Sequence, residues 1–291
     1  MLKKIFLYPV LITLFLSIFP IAGICADQEV TFAMLPQMSV TEVYKCWSPI
    51  LEYLEKETGI HFNQVYPKDF SEHVAMCREG KIDFAYSNPM TYIKMSPRKD
   101  LRASGHKAIL LALEPQGATF YGEFIVRVDN ENIKTIADIK GKNGWVVGYD
   151  SAGGFTFQYD YALMKGIDLE KDCNLTVAEG NKQGKVVTAV FNHLADFGCV
   201  RSGMLEKMKD RVDLGQLRVL AKTDSYPSWV FSAQDKVDPQ IVAKITQALL
   251  KIPADVLEKA NLPGKVKGFQ VTTDADLDSM RKLADRIKFE Y

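Results

Sequence analysis

The chain has no net charge to offer. Across 291 residues, 36 basic groups meet 36 acidic ones. A protein that lives on phosphate-backbone contacts carries a basic excess, so nucleic acid is not expected as a partner. Histidine is scarce, with four residues at 61, 73, 106 and 193. His73 and Cys77 have the i, i+4 spacing of metal ligands, but no second close pair of His or Cys joins them, so neither a metal nor another cofactor is expected. No Ser/His/Asp pattern stands in a familiar context, which leaves an enzyme without named catalytic residues. There is no low-complexity tract and no repeat at a solenoid period. With 47% apolar and 25% charged residues the chain also lacks the composition of disorder.

Long hydrophobic runs are missing except at the start. Lys3 and Lys4 precede an almost unbroken apolar stretch, Ile5 to Ile24, and Ile24-Cys25-Ala26 offers a cleavage site before Asp27. This is the pattern of a secretory signal peptide over residues 1–26, with an uncleaved anchor or a lipidated Cys25 as the alternatives. Export implies the periplasm and a mature net charge of about −2. Four cysteines then remain, Cys46, Cys77, Cys173 and Cys199. An oxidising compartment permits pairing, and topology favours Cys46–Cys77 and Cys173–Cys199, each within one lobe; four buried free thiols are the alternative.

Beyond the signal, short β-rich runs alternate with helical patterns. Strands are expected at Val30–Met34, Phe62–Tyr66, Ile82–Tyr86, Lys107–Leu113 and Phe120–Val128. A capping box, Ser39 with Glu42, opens a first helix whose apolar face is Val43, Trp47, Ile50, Leu51 and Leu54, and Gly59 stops it. A second round runs from Asn130, with strands at Trp145–Tyr149, Leu175–Ala178, Asp196–Val200 and Leu214–Ala221, and helices at Gly153–Lys165 and Lys185–His193. Ser225–Ala233 reads as a return crossing, and two helices end the chain, the first with Asp238 before Pro239. The fold class is α/β with parallel-rich sheets. Residues 27–127 with 225–291 form one lobe and 128–224 the other, joined by two crossover hinge segments around a cleft. A monomer is expected.

Ligands of open α/β sheets sit at the carboxyl ends of the strands, so the turns there carry the candidate chemistry. Ser151, Ala152, Gly153 and Gly154 link a strand to a helix, where free N–H groups, the helix dipole and a hydroxyl favour an anion. The stretch lacks the lysine of a P-loop, and Tyr149 occupies the position where a nucleophile elbow needs glycine. Tyr86, Ser87, Asn88 and Tyr92 mark another such turn, and Gln37 and Ser39 a third. From the second lobe come Lys182 and Gln183, beside Asn181, and Arg201 next to Ser202. All can donate hydrogen bonds, and two are cations suited to an oxyanion.

These segments, in this order, resemble the periplasmic phosphonate/phosphite/phosphate-binding proteins of ABC transporters, over nearly all of the mature chain. The carriers are YKCWSPILEYLEKETGI, GKIDFAYSNPMTYI, YGEFIVRVDNENIKTIADIKGKNGWVVGYDSAGG and EGNKQGKVVTAVFNHLADFGCV. The resemblance implies a two-lobed type 2 periplasmic-binding clamshell that closes on a small anion and hands it to an ABC permease. In the family a Ser-Thr-Ser turn holds the oxyanion; here it reads Ser151-Ala152-Gly153, so two hydroxyls are gone. Tyr92 matches the family's aromatic residue. A histidine common in relatives is replaced around Asn181–Gln183. Arg201 stands where some members place an acid, which points away from aminoalkyl phosphonates and toward a ligand with a second negative group or none. On this view Arg201→Ala weakens anion binding without lowering the apo melting temperature. A sulfonate or organic-ligand binder, or a sensory protein of the same fold, is the alternative, and a periplasmic enzyme the option from another class.

Overall fold

The computed structural model describes residues 28–96 and 105–291, so the signal segment lies outside the described residues. The first round is β1 (Gln28–Met34), α1 (Val40–Thr58), β2 (Ile60–Gln64), α2 (Phe70–Arg78), β3 (Phe84–Ser87) and α3 (Pro89–Met95). β4 (His106–Leu113), the two-residue β5 (Thr119–Phe120) and β6 (Gly122–Arg127) lead to a second round. This comprises β7 (Asn143–Val146), α4 (Phe157–Met164), α5 (Leu169–Asp172), β8 (Asn174–Val177), α6 (Gln183–Phe191), β9 (Phe197–Arg201), α7 (Met204–Lys207) and β10 (Leu217–Lys222). The chain returns through β11 (Tyr226–Pro227) to β12 (Val230–Gln234), α8 (Pro239–Leu250), α9 (Ala254–Ala260), β13 (Gly268–Val271) and α10 (Asp278–Arg286).

Two sheets result, in the orders β13-β4-β12-β3-β1-β2 and β10-β6-β9-β7-β8. In each, the βαβ strands run parallel: β1 with β2 and β3, β7 with β8 and β9. The strands arriving from the other sheet enter antiparallel, as β12 does beside β3 and β4, and β6 beside β9 and β10. The sheets are therefore mixed rather than simply parallel-rich. The crossings between them pair with each other as an antiparallel ribbon, Phe120 opposite Tyr226 and Thr119 opposite Pro227.

Local chemistry accounts for the elements. Ser39 and Glu42 form the full capping box of α1, and Gly59 ends it in the left-handed region at φ 70°. The apolar face of α1 is buried, and Trp47 packs on Phe32 and Tyr86 at centroid distances of 4.3 and 5.0 Å. Side chains of this size stabilise by about 1.5–3 kcal/mol each when fully buried. Asp238 caps α8 by accepting from the Gln240 amide, with Pro239 at the first helical position.

Several boundaries differ from the sequence expectation, and three have a local reason or consequence. The 145–149 strand stops at Val146, because the Val147 amide turns to the Gly154 carbonyl. The 120–128 strand breaks at Tyr121, where the chain passes from ribbon to sheet. The sequence also predicts a short helix at Ile133–Lys140, and there residues 136–139 form only a 3-10 turn. α9 and β13 were not anticipated; β13 is a four-residue edge strand after Pro263 and Gly264, with too few residues to show a period.

The cysteine pairing does not form. All four thiols are free and buried. The Cys46 thiol faces the Asn261 carbonyl and that of Cys173 the Ile139 carbonyl. α1 packs on α8 and α9 while α2 packs on α3, so Cys46 and Cys77 face different neighbours. Cys173 precedes β8 and Cys199 lies in β9, with β7 between them. Two strand spacings, about 9–10 Å, exceed the roughly 7 Å that a disulfide spans.

Candidate functional site

The strand-to-helix turns of the two sheets meet at the junction between them. From the first sheet come the β1–α1 turn at 35–39 and the β3–α3 turn at 87–89. From the second come the β7–α4 turn at 147–154, the β8–α6 turn at 178–183 and the β9–α7 turn at 201–203. Three sets of contacts hold them together. The Lys182 ammonium donates to the Pro36 and Met38 carbonyls at 2.7 and 2.5 Å. Lys94 donates to both oxygens of Asp150 at 2.9 Å, and the Asn88 amide reaches the Asp150 carbonyl at 3.5 Å. Arg211 meets Glu42 at 3.2 Å. Desolvation between the lobes lowers the pKa of Lys182.

The Ser151 bend is built by close packing. Residues 152–156 form one π-helical turn that runs directly into α4, with the Thr156 amide donating back to the Ser151 carbonyl at 3.0 Å. A Cβ on Gly153 would stand 2.8 Å from Phe120 and from the Arg201 Cβ; one on Gly154 would stand 2.4 Å from Val147. Both glycines are thus required by the packing of the bend onto Arg201 and β7. The bend is pinned from below by Gln158, whose side-chain amide donates to the carbonyls of Glu123, Gly153 and Val200. Ser151 is 3% exposed, and its hydroxyl caps no helical amide. Its neighbour Asp150 would oppose an anion, but Lys94 neutralises it.

Arg201 does not stand free. Its guanidinium forms a buried ion pair with Glu114 from the crossing segment, and Glu114 also accepts from the Ser228 hydroxyl at 2.9 Å and the Gln116 amide at 3.3 Å. The guanidinium lies 4.7 Å above the Phe120 ring. Its backbone amide donates to Gln183 Oε1 at 3.2 Å, while Nε has no acceptor. Because Glu114 cancels the charge, Arg201 gives no reason to expect a second negative group on the ligand. One ion pair therefore ties the end of β9 to the crossing segment between β4 and β5. Gln37 Nε2 is a second buried donor without an acceptor.

The other sequence candidates divide by geometry. Gln37, Ser39, Lys182, Gln183 and Arg201 line one cavity of about 780 Å³. Ser151, Ala152, Gly153 and Gly154 are not among the residues that line it; Gly153 packs behind it, against Arg201. Tyr86 is buried between Trp47 and Trp229; desolvation raises its pKa, and Glu114 and Arg201 are near enough to act on it. Ser87, Asn88 and Tyr92 have their side chains engaged by the protein. The Ser87 hydroxyl pairs with His73 Nε2 at 2.8 Å. Asn88 caps α3 by accepting from the Thr91 amide. The Tyr92 hydroxyl donates to Asp274 and accepts from the Ala108 amide, both at 2.8 Å. Sequence reasoning missed Glu114, Lys94, Asp150, Lys207 and Arg211. Glu114 alone had a signal, as an acid ending an apolar strand just before Pro115. Among the described residues no group of three or more His, Cys, Asp or Glu could hold a metal ion.

Residues 32–277 match the family described as ABC transporter, phosphonate, periplasmic substrate-binding protein. The phosphate-import protein PhnD of Mycolicibacterium smegmatis is 25% identical over 283 residues, covering 89% of this chain and 85% of that protein. The phosphonates-binding periplasmic protein of Escherichia coli is 21% identical, covering 89% and 76%. Among solved structures, a binding protein component of an ABC phosphonate transporter from Pseudomonas aeruginosa superposes with a TM-score of 0.77 at 16% identity, covering 90% of this chain and 87% of that one. A Prochlorococcus marinus protein in complex with methylphosphonate gives 0.76 at 13% identity, covering 91% and 100%. These likenesses establish a type 2 periplasmic-binding fold with two sheet-containing lobes. With the family matched over most of its length, the chain belongs to the phosphonate-type periplasmic substrate-binding proteins of ABC transporters, a family of transport components rather than enzymes.

Proposed function

We propose that this chain, after loss of residues 1–26, binds an oxyanion of the phosphate, phosphite or phosphonate class between its lobes and delivers it to an ABC permease. The lobes are taken as 27–127 with 225–291, and 128–224, turning about the β5–β11 ribbon. The contacts are assigned to Ser151 and the amides of 152–154, to Gln37 and Gln183, and to Arg201 through Nε.

The observation that carries this reading is the set of donors at the junction with no protein acceptor: Gln37 Nε2 and Arg201 Nε are both buried. A buried donor left unsatisfied costs about 1–3 kcal/mol, and an oxyanion supplies the acceptors that offset it. Charge-assisted bonds of about 1.5–3 kcal/mol each then suffice for micromolar binding, roughly −8 kcal/mol, after the cost of closure.

Calorimetric titration with phosphate, phosphite and methylphosphonate, against taurine and a dicarboxylate as controls, tests the class. Ser151→Ala is expected to weaken binding of the preferred anion about tenfold, the loss of one bond to a charged group. Tighter binding of the controls, or an unchanged affinity in Ser151→Ala, removes the bend from the site.

A further inference from the structure

The cavity that Gln37, Gln183 and Arg201 line is far larger than those donors need. At about 780 Å³ it lies within the range of roughly 300–1,000 Å³ that encloses drug-sized molecules, whereas phosphate or methylphosphonate is a handful of heavy atoms. Its lining is also mixed in chemistry. Met38, Trp145, Leu194, Met204 and Met208 supply an apolar surface. Three of these are thioethers, which conform to irregular apolar bodies. A bare inorganic anion would leave that wall facing water.

The polar side is cationic. Lys182, Lys185, Arg201, Lys207 and Arg211 line it, opposed by Glu42 and Glu179 alone. Four of the five cations are engaged by the protein: Lys182 by two carbonyls, Lys185 by Glu179, Arg201 by Glu114 and Arg211 by Glu42. Lys207 is different. Its one hydrogen-bond contact is the Met38 sulfur at 3.5 Å, and no carboxylate pairs with it among the described residues. An uncommitted ammonium thus stands beside one of the apolar groups, Met38, where an acidic head would meet an apolar body.

We propose that the natural ligand is an organic phosphate or phosphonate with an apolar body, its head at the Gln37–Gln183–Arg201 end beside Lys207 and its body against Met204, Met208 and Trp145. The assignment rests on the oxyanion reading above and narrows it. Bare phosphate is then a weak ligand of this chain.

Titration calorimetry of the purified protein with methylphosphonate, phenylphosphonate and 1-naphthyl phosphate separates the two readings. Both aromatic probes are expected to bind at least tenfold tighter than methylphosphonate, about 1.4 kcal/mol. Met204→Asn and Leu194→Asn, at an intermediate and an exposed position, are expected to abolish the advantage of the aromatic probes over methylphosphonate. Methylphosphonate binding as tightly as the aromatic probes overturns the inference while the oxyanion reading stands. An advantage that survives both substitutions overturns the placement of the body against this lining. Failure of all three probes to bind defeats both readings.

Discussion

Replacing Arg201 by alanine does more than remove one donor from the site. The side chains of Arg201 and Glu114 are 3% and 2% exposed, so the variant leaves a carboxylate in the interior with only the Ser228 hydroxyl and the Gln116 amide as partners. Breaking a buried pair from one side costs about 3–5 kcal/mol. The expected destabilisation is therefore about 3–5 kcal/mol, or about 6–20 °C in melting temperature for a chain of this size. The buried ion pair thus argues against the sequence-based expectation of an unchanged apo melting temperature. Thermal melts of ligand-free wild type, Arg201→Ala and Glu114→Gln/Arg201→Met at pH 7 test this. The double variant, with no buried charge left, should melt near wild type. An Arg201→Ala protein that melts within about 2 °C of wild type, or a double variant that melts no higher than Arg201→Ala, would refute the burial argument.

Further outcomes follow from groups outside the cleft. Burial holds His73 down to about 3 and His106 to about 4, both below the unfolded value of about 6.5. The unfolded chain then binds more protons between these limits. Stability should be full above about pH 6.5 and fall below it by up to about 1.4 kcal/mol per pH unit for each histidine. Urea unfolding at pH 7.5, 6 and 5 reads the slope, and His73→Gln should roughly halve it; a flat profile contradicts neutral burial. Because all four described thiols are free and buried, a thiol reagent should label the native protein slowly and all four after denaturation, with no change in mobility on reduction. Two thiols or fewer in the denatured, unreduced protein would restore a disulfide. Lys94→Gln uncovers the negative Asp150 beside the anion bend, so phosphonate affinity should drop several-fold, less so at high salt; equal loss at low and high salt assigns Lys94 a merely structural part.

Much of this architecture is written in short-range chemistry. The Ser39–Glu42 box, Asp238 before Pro239 and the α1 stripe each need only neighbours in sequence, and each forms as expected. The positions of the Ser151 bend and of the other strand-to-helix turns follow from the βαβ order for the same reason. What the sequence does not carry is which donors are already taken. Tyr92 and Ser87 look identical, as residues, to ligand groups; their partners Asp274 and His73 are distant in the chain or on another element. Arg201 reads as a free cation until Glu114, 87 positions earlier, is brought beside it. The glycines at 153 and 154 suit an anion loop, yet steric contact with Phe120, Arg201 and Val147 already demands them. The disulfide expectation failed on lateral order within a sheet, which composition and spacing do not encode.

The contacts across the junction also set how a ligand can act on the hinge. Arg211 and Glu42 are 65% and 38% exposed, and such a pair contributes about 0–1 kcal/mol. The Lys94–Asp150 pair is more enclosed, at 22% and 25%, but each ion also loses hydration on closing. Lys182 exchanges water for two carbonyls and is desolvated in doing so, as its lowered pKa records. None of these terms is large and each carries an opposing one, so the closed arrangement is favoured or disfavoured by only a few kcal/mol. A ligand moves such an equilibrium only by binding one arrangement more tightly than the other, and about 5.5 kcal/mol takes it from 1:99 to 99:1. On the proposed function, donors from both lobes converge on an anion only when the lobes meet, with Gln37 from the β1–α1 turn and Gln183 from the second sheet lining one cavity. Two or three charge-assisted bonds made in the closed form alone would supply that difference. On that reading the weak pairs across the junction fix the geometry of closure, and the ligand decides whether it happens.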